Sequence, residues 1–164
     1  MDKVSKNRVK LLHPIIRQSV TDAIIKLEEK DGVKIRIVQG LRTFKEQDDL
    51  YAQGRTKPGK KITNAKGGQS WHNYGLAIDF CLLHSDGSIS WSLYEDLDND
   101  KVADWEEVVS EFKRRGFSWG GDWKSFKDNP HLEKTFDLKI ADALALHNSS
   151  VDTDGYIIIP NTIN

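Results

Sequence analysis

A histidine and an aspartate close together in the sequence form the first group of residues suited to chemistry. His72 follows a glycine-rich stretch, and Asp79 lies inside the apolar run Leu76-Ala77-Ile78-Asp79-Phe80-Cys81-Leu82. An ionised aspartate among apolar residues is costly unless a partner compensates its charge. A divalent cation shared with His72 is one such partner. The alternative is that Asp79 caps a turn or pairs with a lysine, while His72 is an ordinary loop histidine.

A second segment, which ends in Asp128-Asn129-Pro130-His131, adds another carboxylate and another imidazole. A catalytic zinc ion takes three protein ligands and keeps its fourth position for a water, whose proton a nearby carboxylate accepts. Pro130 restricts Asn129 to an extended conformation and so holds Asp128 and His131 in a fixed relation. Spacing alone allows Asp128 to be this base or a hydrogen-bond partner of a metal-bound histidine. Both roles place Asp128 at the metal.

Together these segments resemble a known superfamily, that of the D-alanyl-D-alanine carboxypeptidases and L-alanyl-D-glutamate endopeptidases, which are zinc peptidases. In this chain the matching pattern is Ser70-x-His72-x6-Asp79 followed by Asp128-x-x-His131. The longer strings at 63–80 and 120–128 resemble the branch that contains phage endolysins and bacillus-type L-Ala-D-Glu peptidases. The resemblance extends from about Leu12 to about Glu133.

The resemblance implies a role for each matching residue. It makes His72, Asp79 and His131 the zinc ligands and Asp128 the general base, at a position where many relatives have glutamate. Because aspartate is shorter than glutamate, Asp128 would have to lie closer to the metal-bound water.

Three further residues are candidates for contacts with the substrate. Family members carry an arginine after the first strand in a Leu-Arg-Ser/Thr context, which Arg42 matches here, with Gln47 one turn later. A guanidinium can bind a substrate carboxylate or the oxyanion of the tetrahedral intermediate through paired donors. A surface salt bridge is the alternative for Arg42. Ser70 either hydrogen-bonds the substrate or caps the turn.

An acidic segment further along the chain resembles the calcium loop of an EF-hand, in which carboxylates at alternate positions converge on the ion. Its carboxylates are Asp96, Asp98, Asp100, Asp104 and Glu107. The glycine that such loops place sixth is absent, because Lys101 follows Asp100 directly. Either an altered loop binds calcium, or Asp104 and Glu107 only cap a helix.

The surrounding sequence predicts the elements that must position these residues. Hydrophobic periodicity, capping residues and β-branched runs predict three helices and two strands. The helices are expected over 14–30, 43–53 and 104–115, and the strands over 34–38 and 76–82. Residues 54–70 contain Gly54, Gly59, Gly67 and Gly68 and predict a mobile loop at the rim of the site. Helices and strands mix without a regular βαβ rhythm, which indicates an α+β fold.

Composition limits the remaining interpretations. The 164 residues, 38% of them apolar, favour one domain spanning 1–164, with no room for a separate wall-binding domain. The net charge of -1 indicates neither a nucleic-acid nor an anionic-membrane partner, and we expect a monomer. The basic, polar start of the chain does not resemble a signal peptide, and no apolar run is long enough for a membrane span. We therefore expect synthesis in the cytoplasm and release to the wall by another route, such as a phage holin.

The resemblance implies a small, mainly antiparallel sheet flanked by helices, as in these peptidases and the hedgehog signalling domain. It also implies a bacteriolytic hydrolase that cuts the L-Ala-D-Glu bond in the stem peptides of cell-wall peptidoglycan. A D-Ala-D-Ala carboxypeptidase would use the same metal site. A non-catalytic, hedgehog-type zinc-binding module is a second alternative, against which Asp128 argues. A non-haem iron oxygenase is a third, because two histidines and one carboxylate also form its metal triad.

Overall fold

The computed structural model describes residues 1–160, which contain five α-helices and five β-strands. The helices are α1 (Lys3–Val9), α2 (Pro14–Lys30), α3 (Phe44–Ala52), α4 (Asp104–Arg114) and α5 (Ile140–Ser149). The strands are β1 (Ile35–Gln39), β2 (Ala77–Leu83), β3 (Ile89–Ser90), β4 (Ser118–Trp119) and β5 (His131–Glu133). The three helices and two strands expected from the sequence are all present, within one residue at each end.

The sheet is antiparallel throughout and has the order β1-β2-β5-β4, with the short β3 pairing with the far end of β2. The predicted α+β class with a small, mainly antiparallel sheet is therefore confirmed. β2 is central, because β1 and β5 pair with its two edges. Asp79 in β2 lies opposite Gln39 on one side and opposite His131 on the other.

The hydrophobic core lies between one face of this sheet and the helices α2 and α4. Alternation along β2 turns Ile78 and Phe80 into the core, where the Phe80 ring lies 4.4 Å from the ring of Trp105 in α4. Helix α2 contributes Ile16 and Ile24 from its buried side. By the same alternation, Asp79 faces the opposite side of the sheet, where the functional residues gather.

The start of α3 follows the expected capping chemistry. The Thr43 hydroxyl accepts the N–H of Glu46 at 3.1 Å, and the Glu46 carboxylate accepts the N–H of Thr43 at 2.7 Å. This reciprocal pair satisfies two N–H groups at the helix end. The cap fixes where the helix begins, directly after Arg42.

Residues 54–70 form no helix or extended strand, as expected, but they are tied to α3. The Arg55 guanidinium donates to the carbonyl oxygens of Tyr51 and Thr63 at 2.7 and 3.0 Å. It also lies over the Tyr51 ring, 3.9 Å from the centroid. These contacts make the segment a fixed wall beside the site. Among the described helices, none is both long enough and apolar enough to serve as a membrane span.

Candidate metal centre and active site

Three ligand-type atoms from distant parts of the chain converge on one point. His72 Nε2 lies 3.1 Å from Asp79 Oδ1 and 3.2 Å from His131 Nδ1, and His131 Nδ1 lies 3.1 Å from Asp79 Oδ1. Both imidazoles are buried. The three residues that the resemblance implies as zinc ligands therefore form one group of a size that a metal ion could fill.

Sheet register and one tight turn bring this group together. Asp79 and His131 are directly opposite each other in the β2–β5 pair. His72 lies in a 3-10 turn, Trp71–Tyr74, that ends at Gly75 with a φ of 67°. A Cβ at Gly75 would lie 2.7 Å from the backbone nitrogen of His13, so only glycine fits there. The turn thereby returns the chain into β2 with His72 above Asp79.

The outer nitrogen of each imidazole is held by a hydrogen-bond acceptor. His72 Nδ1 lies 2.8 Å from the carbonyl oxygen of Gly40, and His131 Nε2 lies 2.8 Å from Glu133 Oε2. These outer nitrogens must carry protons, which leaves lone pairs on the inner nitrogens of the neutral rings. Two lone pairs and a carboxylate would then face one another at about 3 Å, which is repulsive unless a cation lies among them. The donor set and its surroundings therefore fit a divalent metal ion.

The pKa values of Asp79 and His131 also indicate that a positive charge is favoured between these side chains. Burial raises the pKa of Asp79, but the two imidazoles outweigh this effect and hold it well below its usual range. Burial lowers the pKa of His131, but hydrogen bonds with Asp79 and Glu133 raise it to about 9. A proton is thus strongly held between these groups, and a bound metal ion would take its place.

Asp128 lies in the same cleft, next to the converging group but outside it. Its backbone N–H donates to Gly120 at 3.1 Å, and its carbonyl oxygen accepts the N–H of His131 at 3.2 Å. Burial and the nearby Asp79 carboxylate raise the pKa of Asp128, although His131, His72 and Arg42 oppose this effect. A carboxylate with a raised pKa is suited to accept a proton and then release it.

The cleft around this group has a volume of about 630 Å³. Ser70 and Trp71 lie on the wall formed by 62–71, and Trp123 and Phe126 lie on the wall formed by 123–128. The Trp123 ring packs against the His131 imidazole, with 5.3 Å between the ring centroids. Ser70 therefore lies where substrate would pass.

Arg42 lines the cleft, but Gln47 does not. Arg42 Nη1 donates to Gln47 Oε1 at 2.8 Å, and Arg42 Nη2 lies 4.0 Å from Asp79 Oδ2. Gln47 is fully buried, and its Nε2 donates to the carbonyl oxygen of Ala65 at 2.9 Å. The expectation that Gln47 touches substrate is therefore wrong, because both ends of its amide are used inside the protein. Gln47 instead lies behind Arg42 and joins it to the cleft wall.

Glu133 is a residue of the site that the sequence did not predict. It is two residues after His131 in β5 and contacts its outer nitrogen. Side chains two apart in a strand point to the same face, so a predicted strand at 131–133 would have indicated this contact.

The acidic segment forms two adjacent groups of carboxylates whose ligand atoms lie within 4.8 Å of one another. The groups are Asp96, Asp98 and Asp104, and Asp98, Asp100 and Glu107. Burial and the neighbouring carboxylates raise the pKa of Glu107 to about 7. The backbone N–H groups of Asp100 and Lys101 donate to the two oxygens of Asp96, at 3.1 and 3.0 Å. Calcium binding by this loop stays a prediction.

The alternative role of this segment, in which Asp104 caps a helix, is wrong. Ala103 is the N-cap of α4, and Asp104 is the first helical residue. The Asp104 carboxylate instead accepts the N–H of Leu97 at 3.0 Å and so ties the loop to the helix.

Comparison with known proteins identifies the family. A family model described as D-alanyl-D-alanine carboxypeptidase matches residues 63–134. Over 122 residues the chain is 54% identical to the peptidoglycan L-alanyl-D-glutamate endopeptidase CwlK of Bacillus subtilis, covering 74% of this chain and 72% of CwlK. The chain belongs to this family of peptidoglycan peptidases. The resemblance inferred from the two sequence strings, and with it the class of enzyme, is confirmed.

Other members extend the comparison. This peptidase is 30% identical over 105 residues to an L-alanyl-D-glutamate peptidase of a Listeria phage, covering 64% of this chain and 32% of the phage protein. Among solved structures it resembles the L-Ala D-Glu endopeptidase ChiX of Serratia marcescens, with a TM-score of 0.55 and 22% identity over 83% of this chain and 90% of ChiX. It also resembles the D,D-pentapeptidase VanY of a VanB-type resistance cassette in complex with Zn(II), with a TM-score of 0.52 and 18% identity over 75% of this chain and 72% of VanY. These two likenesses show the fold.

Proposed function

We propose that this peptidase is a zinc enzyme that hydrolyses the L-Ala-D-Glu bond in peptidoglycan stem peptides. The observation that carries the proposal is the convergence of His72, Asp79 and His131 in a cleft that also contains Asp128 and Arg42. The choice of bond is supported by the 54% identity to CwlK, which is named for this cleavage.

Two imidazole nitrogens and one carboxylate oxygen are the ligand types that catalytic zinc sites use. In the proposal, His72 Nε2, His131 Nδ1 and Asp79 hold the metal. A zinc ion bound there supplies Lewis acidity to the scissile carbonyl and lowers the pKa of a bound water. Gly40 and Glu133 keep the two histidines in the tautomers that present these nitrogens.

Asp128 accepts the proton of the attacking water and then donates it to the leaving amine of D-Glu. Its raised pKa favours the first of these steps, because a carboxylate with a raised pKa is a stronger base than one with an ordinary pKa. Arg42 faces the same cleft and binds either a substrate carboxylate or the developing oxyanion. Gln47 positions Arg42 and does not touch the substrate. Ser70 lies on the cleft wall, where it can hydrogen-bond the stem.

A D-Ala-D-Ala carboxypeptidase is the second candidate, because the matching family model carries that description. The two activities share the metal site and the base, and they differ in which bond lies over it. The protein would act at the bacterial wall in both cases. The monomeric state and the route of release to the wall stay predictions.

Mass spectrometry of muropeptides after digestion of purified peptidoglycan tests the proposal. The expected products are stem peptides that begin with D-Glu, with L-Ala left on the muramic acid. His72→Ala should lose both zinc and activity, because two ligands do not make a stable site. Asp128→Asn should keep its zinc and lose activity by at least about 100-fold, because a base need not bind the metal. Release of free D-Ala with the L-Ala-D-Glu bond intact would instead establish the carboxypeptidase.

A further inference from the structure

Charge is distributed unevenly between the cleft and the rest of the chain. The segment 53–76, which supplies one wall of the cleft, contains five basic residues and no acidic one, although the net charge of the chain is -1. The five are Arg55, Lys57, Lys60, Lys61 and Lys66. This wall is therefore cationic in a protein that is almost neutral.

Two of these side chains have structural partners, and two others are directed to solvent. Arg55 holds the segment to α3, and Lys57 forms an ion pair with Asp49 at 2.6 Å. Lys60 and Lys61 are exposed and form no ion pair with residues 1–160. They directly precede Ile62, which lines the cleft with 47% of its surface exposed.

The opposite wall repeats this arrangement. Phe126 lines the cleft with 65% of its surface exposed, and the exposed Lys124 and Lys127 stand on either side of it in the sequence. Neither lysine forms an ion pair within the described part of the chain. The nearby Asp122 does not neutralise them, because it pairs with Lys113 at 2.6 Å. Each wall thus presents one exposed apolar side chain to the cleft, and two exposed lysines without an ion pair in the described residues lie within two residues of it in the sequence.

The carboxylates on the floor of the cleft would be neutralised by neighbouring positive charge. The four lysines near the walls are then the net charge that an approaching substrate meets. Asp79, Asp128 and Glu133 are carboxylates of the floor, and a bound divalent metal together with Arg42 would balance them. Exposed ammonium groups act over about 10 Å at an ionic strength of about 0.1 M. Like charges lining a cleft also raise the rate at which a ligand of opposite charge associates.

We propose that Lys60, Lys61, Lys124 and Lys127 form a cationic rim that selects acidic stem peptides, whose D-Glu keeps a free α-carboxylate. Stems in which this group is a carboxamide are then the poorer substrates. The inference rests on the proposed cleavage of the L-Ala-D-Glu bond. In a stem, D-Glu is linked onward through its side chain, so its α-carboxylate stays beside the bond to be cut. The α-carboxylate that distinguishes the two kinds of stem would therefore lie beside the scissile bond, between the two walls of the cleft.

Two soluble peptides test the rim. One is N-acetyl-L-Ala-γ-D-Glu-L-Lys-amide, and the other differs only in having the α-carboxylate of D-Glu replaced by a carboxamide. Values of kcat/KM are measured for both at ionic strengths of about 0.05 and about 0.5 M. The variant is Lys60→Gln, Lys61→Gln, Lys124→Gln and Lys127→Gln combined. The control replaces Lys3, Lys6, Lys10 and Lys30 by Gln, four exposed lysines in or directly after α1 and at the end of α2, outside the two segments that form the cleft walls.

The wild type should prefer the carboxylate peptide by about tenfold at low ionic strength, and the preference should shrink as salt is added. The rim variant should lose about five- to tenfold in kcat/KM on the carboxylate peptide and less than about twofold on the carboxamide. The control should match the wild type on both.

Four outcomes would overturn the proposed role of the rim. Equal wild-type values of kcat/KM on the two peptides would show that the lysines do not distinguish carboxylate from carboxamide. An equal loss of kcat/KM on both peptides in the rim variant would show the same. Unchanged peptide kinetics with weaker binding to walls that contain teichoic acid would show that the lysines bind a wall polyanion instead. A wild type that cuts neither peptide, yet releases D-Ala from walls, would overturn the proposed function and the rim with it.

Discussion

Glu133 Oε2 lies 2.8 Å from His131 Nε2, on the side of the imidazole opposite to Asp79. The carboxylate therefore holds a proton on the outer nitrogen and leaves Nδ1 free for a metal. His72 presents Nε2 because the Gly40 carbonyl oxygen holds its Nδ1 proton. The two histidines thus use different nitrogens, and each choice is made by a neighbour that is not itself in the converging group.

Glu133→Ala should weaken zinc binding by about 10- to 100-fold, because His131 then loses the acceptor that fixes its tautomer. Glu133→Gln should lose less, since its amide oxygen can still accept the proton. Competition against a chromophoric chelator measures the dissociation constants. Glu29→Ala, an exposed glutamate on α2, serves as the control and should bind zinc like the wild type. Unchanged affinity in Glu133→Ala would remove Glu133 from the site.

Gln47→Leu should reduce kcat/KM and leave zinc content unchanged. The leucine keeps the volume but leaves Arg42 and the Ala65 carbonyl oxygen without their partner, at a cost of about 1–3 kcal/mol for each unpaired buried group. Thermal unfolding and kinetics on the same sample measure both effects. Gln18→Leu, at an exposed position on α2, is the matched control. Loss of zinc in Gln47→Leu would show that the residue supports the metal group rather than Arg42.

Asp79 and Gln47 differ in how much of their environment the sequence predicts. Asp79 could be singled out because a charge inside an apolar run is unusual whatever the fold. The burial of Gln47 could not, because α3 is largely polar and Gln47 is its one buried residue. Strands β4 and β5 contain two and three residues, too few for a periodic pattern, so the pairing of His131 with Asp79 was also hidden. Local chemistry singled out Asp79, the resemblance implied the set of ligands, and only tertiary packing revealed the residues that support them.

Lys101→Gly should stabilise the protein by about 0.5–1 kcal/mol. Lys101 has a φ of 77°, a left-handed conformation that costs a residue with a Cβ about 1 kcal/mol or more. The greater freedom of glycine in the unfolded chain offsets part of this gain. A rise in Tm by differential scanning calorimetry measures the effect. Lys30→Gly, at the end of α2, is the control and should destabilise instead. A lower Tm for Lys101→Gly would contradict the assignment of strain.

Glu111 should make stability depend on pH in the acid range. Burial raises its pKa, but hydrogen bonds from Arg114, Lys26 and Arg115 outweigh this effect and lower it from 4.5 to about 2. Its contribution is therefore fully present above about pH 4.5 and is lost as the pH falls towards 2. The free energy of unfolding should fall by about 3 kcal/mol over this window through this residue.

Urea unfolding at a series of pH values measures this dependence. Glu111→Gln should be less stable than the wild type at neutral pH and show a flatter acid limb. Glu29→Gln, which forms no ion pair in the described residues, should retain the wild-type slope. An acid limb as steep in Glu111→Gln as in the wild type would assign the effect to other carboxylates.

Asp79 and His131 face each other across a single pair of antiparallel strands. A slip of one residue between β2 and β5 would move one of these side chains to the opposite face of the sheet. No metal could then be held by both, however compact the misregistered chain became. Metal binding by both side chains would therefore require the strand register seen here. A chain paired in the wrong register would therefore lack the ligand group on which the proposed hydrolysis depends.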